Sequence, residues 1–154
     1  MLLIFMGPSC VGKSTVAECF KKDRGMEIYT GKDYLRFAKN ENEAWNKFNE
    51  KLLEASNNKE LSSESIIYII TEKNIIPKLQ SLENTIFVKF IADIDIIKER
   101  FAKRMNGNLP KPLEKMLETQ LGDWKDINSA LGVDTTNMES EEIVMEITKI
   151  AEVK

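Results

Sequence analysis

Apolar positions along this chain follow two alternating rhythms. Leu2-Leu3-Ile4-Phe5-Met6 is a short unbroken apolar run, Ser65-Ile66-Ile67-Tyr68-Ile69-Ile70-Thr71 holds another, and Thr85–Ile91 is a third, interrupted only by Lys89. Runs of this length, rich in β-branched residues, predict strands buried on both faces. Glu27–Thr30 and Ala130–Asp134 add two shorter strands. Between the strands the apolar period lengthens to that of a helix, from Lys13 to Arg24, Asp33 to Ala55, Asp93 to Met105, Leu113–Trp124 and Met138–Val153. Asp93 and Asp95 fall in the first turn of their helix, where the helix dipole favours negative charge. Asn106-Gly107-Asn108-Leu109-Pro110-Lys111-Pro112 reads as a loop. Buried strands alternating with helices predict an α/β fold, a five-stranded parallel sheet between two helical layers.

Ligands on such sheets lie beyond the carboxyl ends of the strands. That directs attention to Gly7–Ser14, Thr30–Arg36, Thr71–Asn74, Asp93 and Asp134–Asn137. The whole chain, residues 1–154, reads as one domain without repeat or linker.

Composition narrows the chemistry. The 154 residues are 42% hydrophobic and 31% charged, enough to bury a core without staples. A net charge of −3 provides no field that would attract nucleic acid or a membrane surface, so neither is expected as a partner. Cys10 and Cys19 make no disulfide framework, and reduced thiols suit a cytoplasmic protein. No apolar run is long enough to span a bilayer, and the apolar start lacks the basic flank of a signal peptide. Histidine is absent, which excludes an imidazole base and leaves two cysteines as the only soft zinc ligands.

The strongest local signal is Gly7-Pro8-Ser9-Cys10-Val11-Gly12-Lys13-Ser14, which matches G-x-x-x-x-G-K-[ST] at every fixed position. Small residues at 7 and 12 let the backbone wrap phosphates, with successive N–H groups turned inward as an anion nest. The helix that starts at Lys13 adds its positive end. Lys13 would reach the β- and γ-phosphates of ATP, Ser14 would ligate Mg²⁺, and Thr15 would donate to the α-phosphate. An apolar strand before the motif and an amphipathic helix after it supply the context that the motif requires. The D-x-x-G and N-K-x-D motifs of regulatory GTPases are absent.

Residues 7–15 resemble the phosphate loop of guanylate kinases, with Cys10 where glycine is usual. Thr30-Gly31-Lys32-Asp33-Tyr34-Leu35-Arg36 resembles the acceptor segment of adenylate-type kinases, Thr-Gly-Asp-x-Leu-Arg, with one extra residue. Ile97–Gln120 is similar to the lid of gluconate and shikimate kinases, in which two arginines precede a loop and a helix. Asp134-Thr135-Thr136-Asn137 resembles the segment that lies beside adenine in several such kinases. These resemblances imply a P-loop domain of the nucleoside-monophosphate-kinase type, with a helical acceptor region near residues 31–60 and a short lid near 100–112.

Phosphoryl transfer needs positioning and positive charge more than covalent chemistry. From Lys98 to Lys115 there are six Lys/Arg against two Glu. Arg100 and Arg104 lie four apart on one helix face, so lid closure would bring guanidinium groups to the moving phosphoryl group. The bland alternative is a solvated basic face. Asp33 would orient or deprotonate an acceptor hydroxyl and Arg36 would hold an acceptor anion. Thr30-x-x-Asp33 is equally a capping box with no catalytic role. Lys32 is a weaker candidate on the same side.

Glu72 is the candidate Mg²⁺ carboxylate after strand 3, displaced beyond Thr71 from the usual place of such a group, and Asn74 would cap the helix that carries Pro77. Trp45, Phe48, Leu52 and Leu53 recur at helical spacing as core positions, with base stacking as the sharper alternative. Cys10, in a positive loop, would have an acidic thiol open to oxidation. Gln120 and Trp124 would anchor the base of the lid. The expected reaction is Mg²⁺-dependent transfer of the γ-phosphoryl group of ATP to a small-molecule acceptor. The loop leans toward a nucleotide acceptor and the lid toward a small hydroxylated metabolite. The alternative is a P-loop regulator or adaptor that binds ATP without turnover.

Overall fold

The structure, a computed structural model, describes residues 1–153. Five strands are all parallel: β1 (Leu2–Met6), β2 (Glu27–Thr30), β3 (Ile66–Ile70), β4 (Thr85–Ile91) and β5 (Leu131–Asp134), in the order β2-β3-β1-β4-β5. Among the described residues five α-helices lie between the strands, α1 (Lys13–Arg24), α2 (Glu41–Ser56), α3 (Ile76–Leu79), α4 (Ile94–Arg104) and α5 (Lys111–Lys125), and α6 (Ser140–Val153) follows β5. Every run expected as a strand is one, trimmed by no more than a residue at either end. Among the described residues no helix is long and apolar enough to cross a membrane.

The unbroken apolar runs behave as two-sided strands must. Leu3 and Phe5 of β1 join Ile67, Ile69, Ile86, Val88 and Phe90 in one buried cluster. Leu2, Ile4 and Met6 join Ile66, Tyr68 and Ile70 in the other. Alternate side chains of one strand feed opposite faces because the strand period is two. Helices α1 and α6 cover the first face through Val16, Phe20, Ile143 and Ile147. Helix α2 covers the second through Phe48 and Leu52. Helix α5 gives Leu117 to one cluster and Trp124 to the other, and so passes across the carboxyl end of the sheet. Seven residues of helix advance about 10 Å, the scale needed for that crossing.

The helix expected from Asp33 to Ala55 is broken. Asp33–Phe37 is a 3-10 turn, Ala38 is extended, and α2 begins afresh where the Asn40 side chain accepts hydrogen bonds from the N–H groups of Asn42 (2.9 Å) and Glu43 (3.2 Å). A side-chain cap satisfies donors that a continuous helix would have used internally, so the break costs little. Trp45 and Phe48 pack with Tyr29, Tyr34, Phe37 and Tyr68 in an aromatic cluster, with ring centroids 4.9 Å apart for Phe48 and Tyr68. The core reading holds for Phe48 and Leu52, whereas Leu53 is exposed. Asn74 is not the cap of α3. It sits inside a 3-10 turn, Lys73–Ile75, and Ile75 takes the capping position, with Pro77 in the first turn of α3.

Candidate active site

The loop after β1 is held open by backbone conformations that its sequence permits. Gly7 has φ of 148°, and a Cβ there would collide with the carbonyl oxygen of Phe90 on β4, so no other residue fits. Gly12 caps α1 at φ 88°. Between them Cys10 adopts φ 64°, a left-handed conformation uncommon for a residue with a Cβ. The position where glycine is usual in guanylate kinase loops is thus one where the backbone favours glycine.

Lys13 is almost fully buried, with only 6% of its surface exposed. Its ammonium donates to the carbonyl oxygen of Gly7, to that of Ile70 at 3.1 Å and to the Thr71 hydroxyl at 3.2 Å. Among the described residues no carboxylate lies within ion-pair distance of it. Burial therefore lowers its pKa to about 7, against the lysine norm of 10.5. A buried amine without a counter-ion, beside a loop that turns on two glycines, fits the site to an anionic group such as a polyphosphate. Ser14 and Thr15 are exposed at the start of α1, with their hydroxyls available to Mg²⁺ and the α-phosphate. Hard oxygen donors of this kind, with phosphate and water, suit Mg²⁺. Among the described residues no group of three or more His, Cys, Asp or Glu gathers to hold a metal by itself.

A cleft of about 570 Å³ runs from this loop to the end of β2. Gly12–Thr15 line one side, Thr30–Asp33 the other, and Thr71 and Arg104 complete it. A second cleft of about 600 Å³ continues past Gly12 and Thr15 toward Arg100, Arg104 and Thr135–Ser140. Arg104, Cys10, Gly12 and Thr15 belong to both. The sequence-predicted residues Lys13, Ser14, Asp33 and Arg104 are therefore brought to one cavity.

Asp33 has two attachments. Its Oδ2 accepts from the Thr30 N–H at 2.8 Å and from the Thr30 hydroxyl at 3.2 Å, which is one half of the capping box, and the residue lines the cleft as well. Arg36 is largely exposed, stands 3.7 Å from Asp33 Oδ2, and does not line the cleft. Glu72 is also exposed and outside the cleft lining; the side chain that enters from the end of β3 is Thr71. Arg100 does not line the phosphate cleft. Its Nη1 donates to the carbonyl oxygen of Cys10 at 3.1 Å and to the Thr135 hydroxyl at 3.0 Å, and its Nη2 to the Thr135 carbonyl at 3.3 Å. Lys98 is engaged by Glu114 (3.0 Å) and Glu118 (2.7 Å), an ion-pair link between α4 and α5.

Two contacts stand outside the predicted set. Gln120 Oε1 accepts from the Ser9 N–H at 3.0 Å, and Trp124 Nε1 donates to the Thr71 carbonyl at 2.9 Å. Sequence placed Gln120 and Trp124 at the base of the lid but not on the phosphate loop. The signal available was their i, i+4 spacing on one helix face. Thr135 had no signal beyond its place after β5.

No protein-family model matches the chain. A cytidylate kinase from Sulfurisphaera tokodaii is 28% identical over 170 aligned positions that cover 99% of this chain and 93% of that protein. Among solved structures, an uncharacterized protein from Eubacterium ventriosum matches with a TM-score of 0.75 and 16% identity, over 100% of this chain and 99% of that one. The shikimate kinase of Acinetobacter baumannii, solved in complex with shikimate, matches with a TM-score of 0.63 and 16% identity, over 99% of this chain and 93% of that one. What these structures share with the chain is the fold, a five-stranded all-parallel sheet in the order β2-β3-β1-β4-β5 between helices.

Proposed function

We propose that this chain is a small Mg²⁺-dependent kinase that moves the γ-phosphoryl group of ATP to a nucleotide or a small hydroxylated metabolite. The observation that carries the proposal is the buried, counter-ion-free Lys13 at the head of a cleft whose far wall holds Asp33. A donor polyphosphate would lie along residues 7–15, its nucleoside in the second cleft against Thr135 and Met138. Lys13 would neutralise the terminal phosphates and Ser14 would hold Mg²⁺, which would supply charge compensation when bound. Asp33 would orient the acceptor hydroxyl and accept its proton, with Lys32 and Arg36 at the rim to attract an acceptor anion. Arg104, in both clefts, would bring positive charge to the group in flight, and residues 100–112 would act as a lid.

Cytidylate kinase and shikimate kinase among the similar proteins support both acceptor classes, as the loop and lid resemblances did. The test is release of ADP from MgATP across a panel of nucleoside monophosphates, nucleosides, shikimate and sugar acids. Acceleration by one member identifies the acceptor. A flat panel alongside tight MgATP binding would replace the kinase with an ATP-binding regulator.

A further inference from the structure

The Ser9–Cys10 segment at the apex of the phosphate loop is gripped from two helices. Arg100 of α4 takes the Cys10 carbonyl at 3.1 Å, and Gln120 of α5, 111 positions along the chain, takes the Ser9 N–H at 3.0 Å. A backbone N–H can only donate, so the carboxamide oxygen of Gln120 must face it, which fixes the orientation of the side chain. One turn further along α5, Trp124 is buried to 1% exposure and its indole N–H holds the Thr71 carbonyl at 2.9 Å. The hydroxyl of Thr71 in turn accepts from Lys13 at 3.2 Å. Residues 120 and 124 share a helix face. That face ties the loop after β1 to the end of β3, the two backbone segments between which the Lys13 ammonium is held.

We propose that Gln120 is a positioning residue for the phosphate loop, an assignment that rests on the kinase reading above. By holding the Ser9 N–H away from the anion nest, it fixes the width of the loop before a polyphosphate arrives. The ordering entropy is then met on folding and not on binding. Gln120 touches no reacting atom. Its effect passes through the Ser9 and Cys10 backbone, and Cys10 at φ 64° is the residue least able to hold its conformation unaided.

The test uses the full chain with Gln120→Met, which keeps the length and removes the amide, and Gln120→Glu, which keeps an oxygen acceptor. Hydrogen exchange at the Ser9 amide is read without nucleotide, and MgADP and inorganic tripolyphosphate are titrated calorimetrically. Gln120→Met is expected to expose the Ser9 amide to exchange and to weaken MgADP roughly 3- to 10-fold, the span of one hydrogen bond. Gln120→Glu is expected to keep Ser9 protected. Unchanged Ser9 exchange in Gln120→Met overturns the proposal, as does faster exchange with unchanged MgADP affinity. A wild-type chain that binds neither probe defeats the phosphate-loop reading itself and this assignment with it. A chain that binds both, with Gln120→Met equal to it, defeats only the assignment.

Discussion

The guanidinium of Arg100 donates to the Cys10 carbonyl at 3.1 Å while Cys10 holds φ of 64°. A left-handed residue with a Cβ costs about 1–2 kcal/mol, and a hydrogen bond from a charged donor returns a comparable amount. The two residues are therefore coupled. Arg100→Ala is expected to destabilise the chain by about 1–3 kcal/mol in urea unfolding. In a Cys10→Gly background, where the backbone adopts that φ freely, the same change should cost at least 0.5 kcal/mol less by the estimate for residues in contact (~0.5–3 kcal/mol). Strict additivity in the double-mutant cycle would refute the coupling.

Arg104 behaves differently because it is exposed and enters both clefts. Arg104→Ala should leave stability within about 0.5 kcal/mol of wild type. Turnover should fall roughly 100-fold or more while MgATP affinity changes little, since the contact strengthens as charge develops on the moving group. Equal losses in kcat and in affinity would instead mark it as a ground-state binder.

Gly7→Ala meets the Phe90 carbonyl, which belongs to a sheet strand and cannot retreat as a flexible side chain would. The loop must move, and strained backbone of this kind costs about 1–3 kcal/mol. The melting temperature should drop, and MgADP should no longer raise it. A variant that MgADP still stabilises as strongly as wild type would show that the loop tolerates displacement.

Lys13 makes a signed prediction with pH. Burial lowers its pKa to about 7, whereas an unfolded lysine titrates near 10.5. Between those values the unfolded chain binds more protons than the folded one, so this group makes stability rise with pH across that window. Lys13→Met should remove that part of the slope, read as the urea midpoint from pH 7 to 9.5. Nucleotide binding should restore the charge. At pH 8 it should therefore take up close to one proton, by the about 7 of the free site, seen as a buffer-dependent calorimetric enthalpy. Enthalpies equal in all buffers would show that Lys13 is already charged.

Much of this molecule could be read from local pattern. The central strands β1 and β3 are legible because burial on both faces demands apolar residues at every position, and the loop after β1 because its backbone tolerates few residue types at 7 and 12. The break at Ala38–Asn40 was hidden, since the apolar period of Tyr34, Phe37, Trp45 and Phe48 continues through it into one aromatic cluster. Asn74 gave a capping signal that the 3-10 turn at Lys73–Ile75 overrode.

The sequence by itself determined the layered α/β fold and the glycine-bounded turn after β1 with Lys13 at its end, because each depends on residues within a few positions of one another. Tertiary structure decided which of the remaining candidates meet. It turned Thr71 into the cleft and left Glu72 in solvent, set Arg100 against Cys10 and Thr135, and laid Gln120 on Ser9. Those pairings join residues 35 to 111 positions apart, where α4, α5 and the segment after β5 meet the loop after β1. Their geometry comes from how helices cross the sheet end, and no periodicity along the chain encodes it.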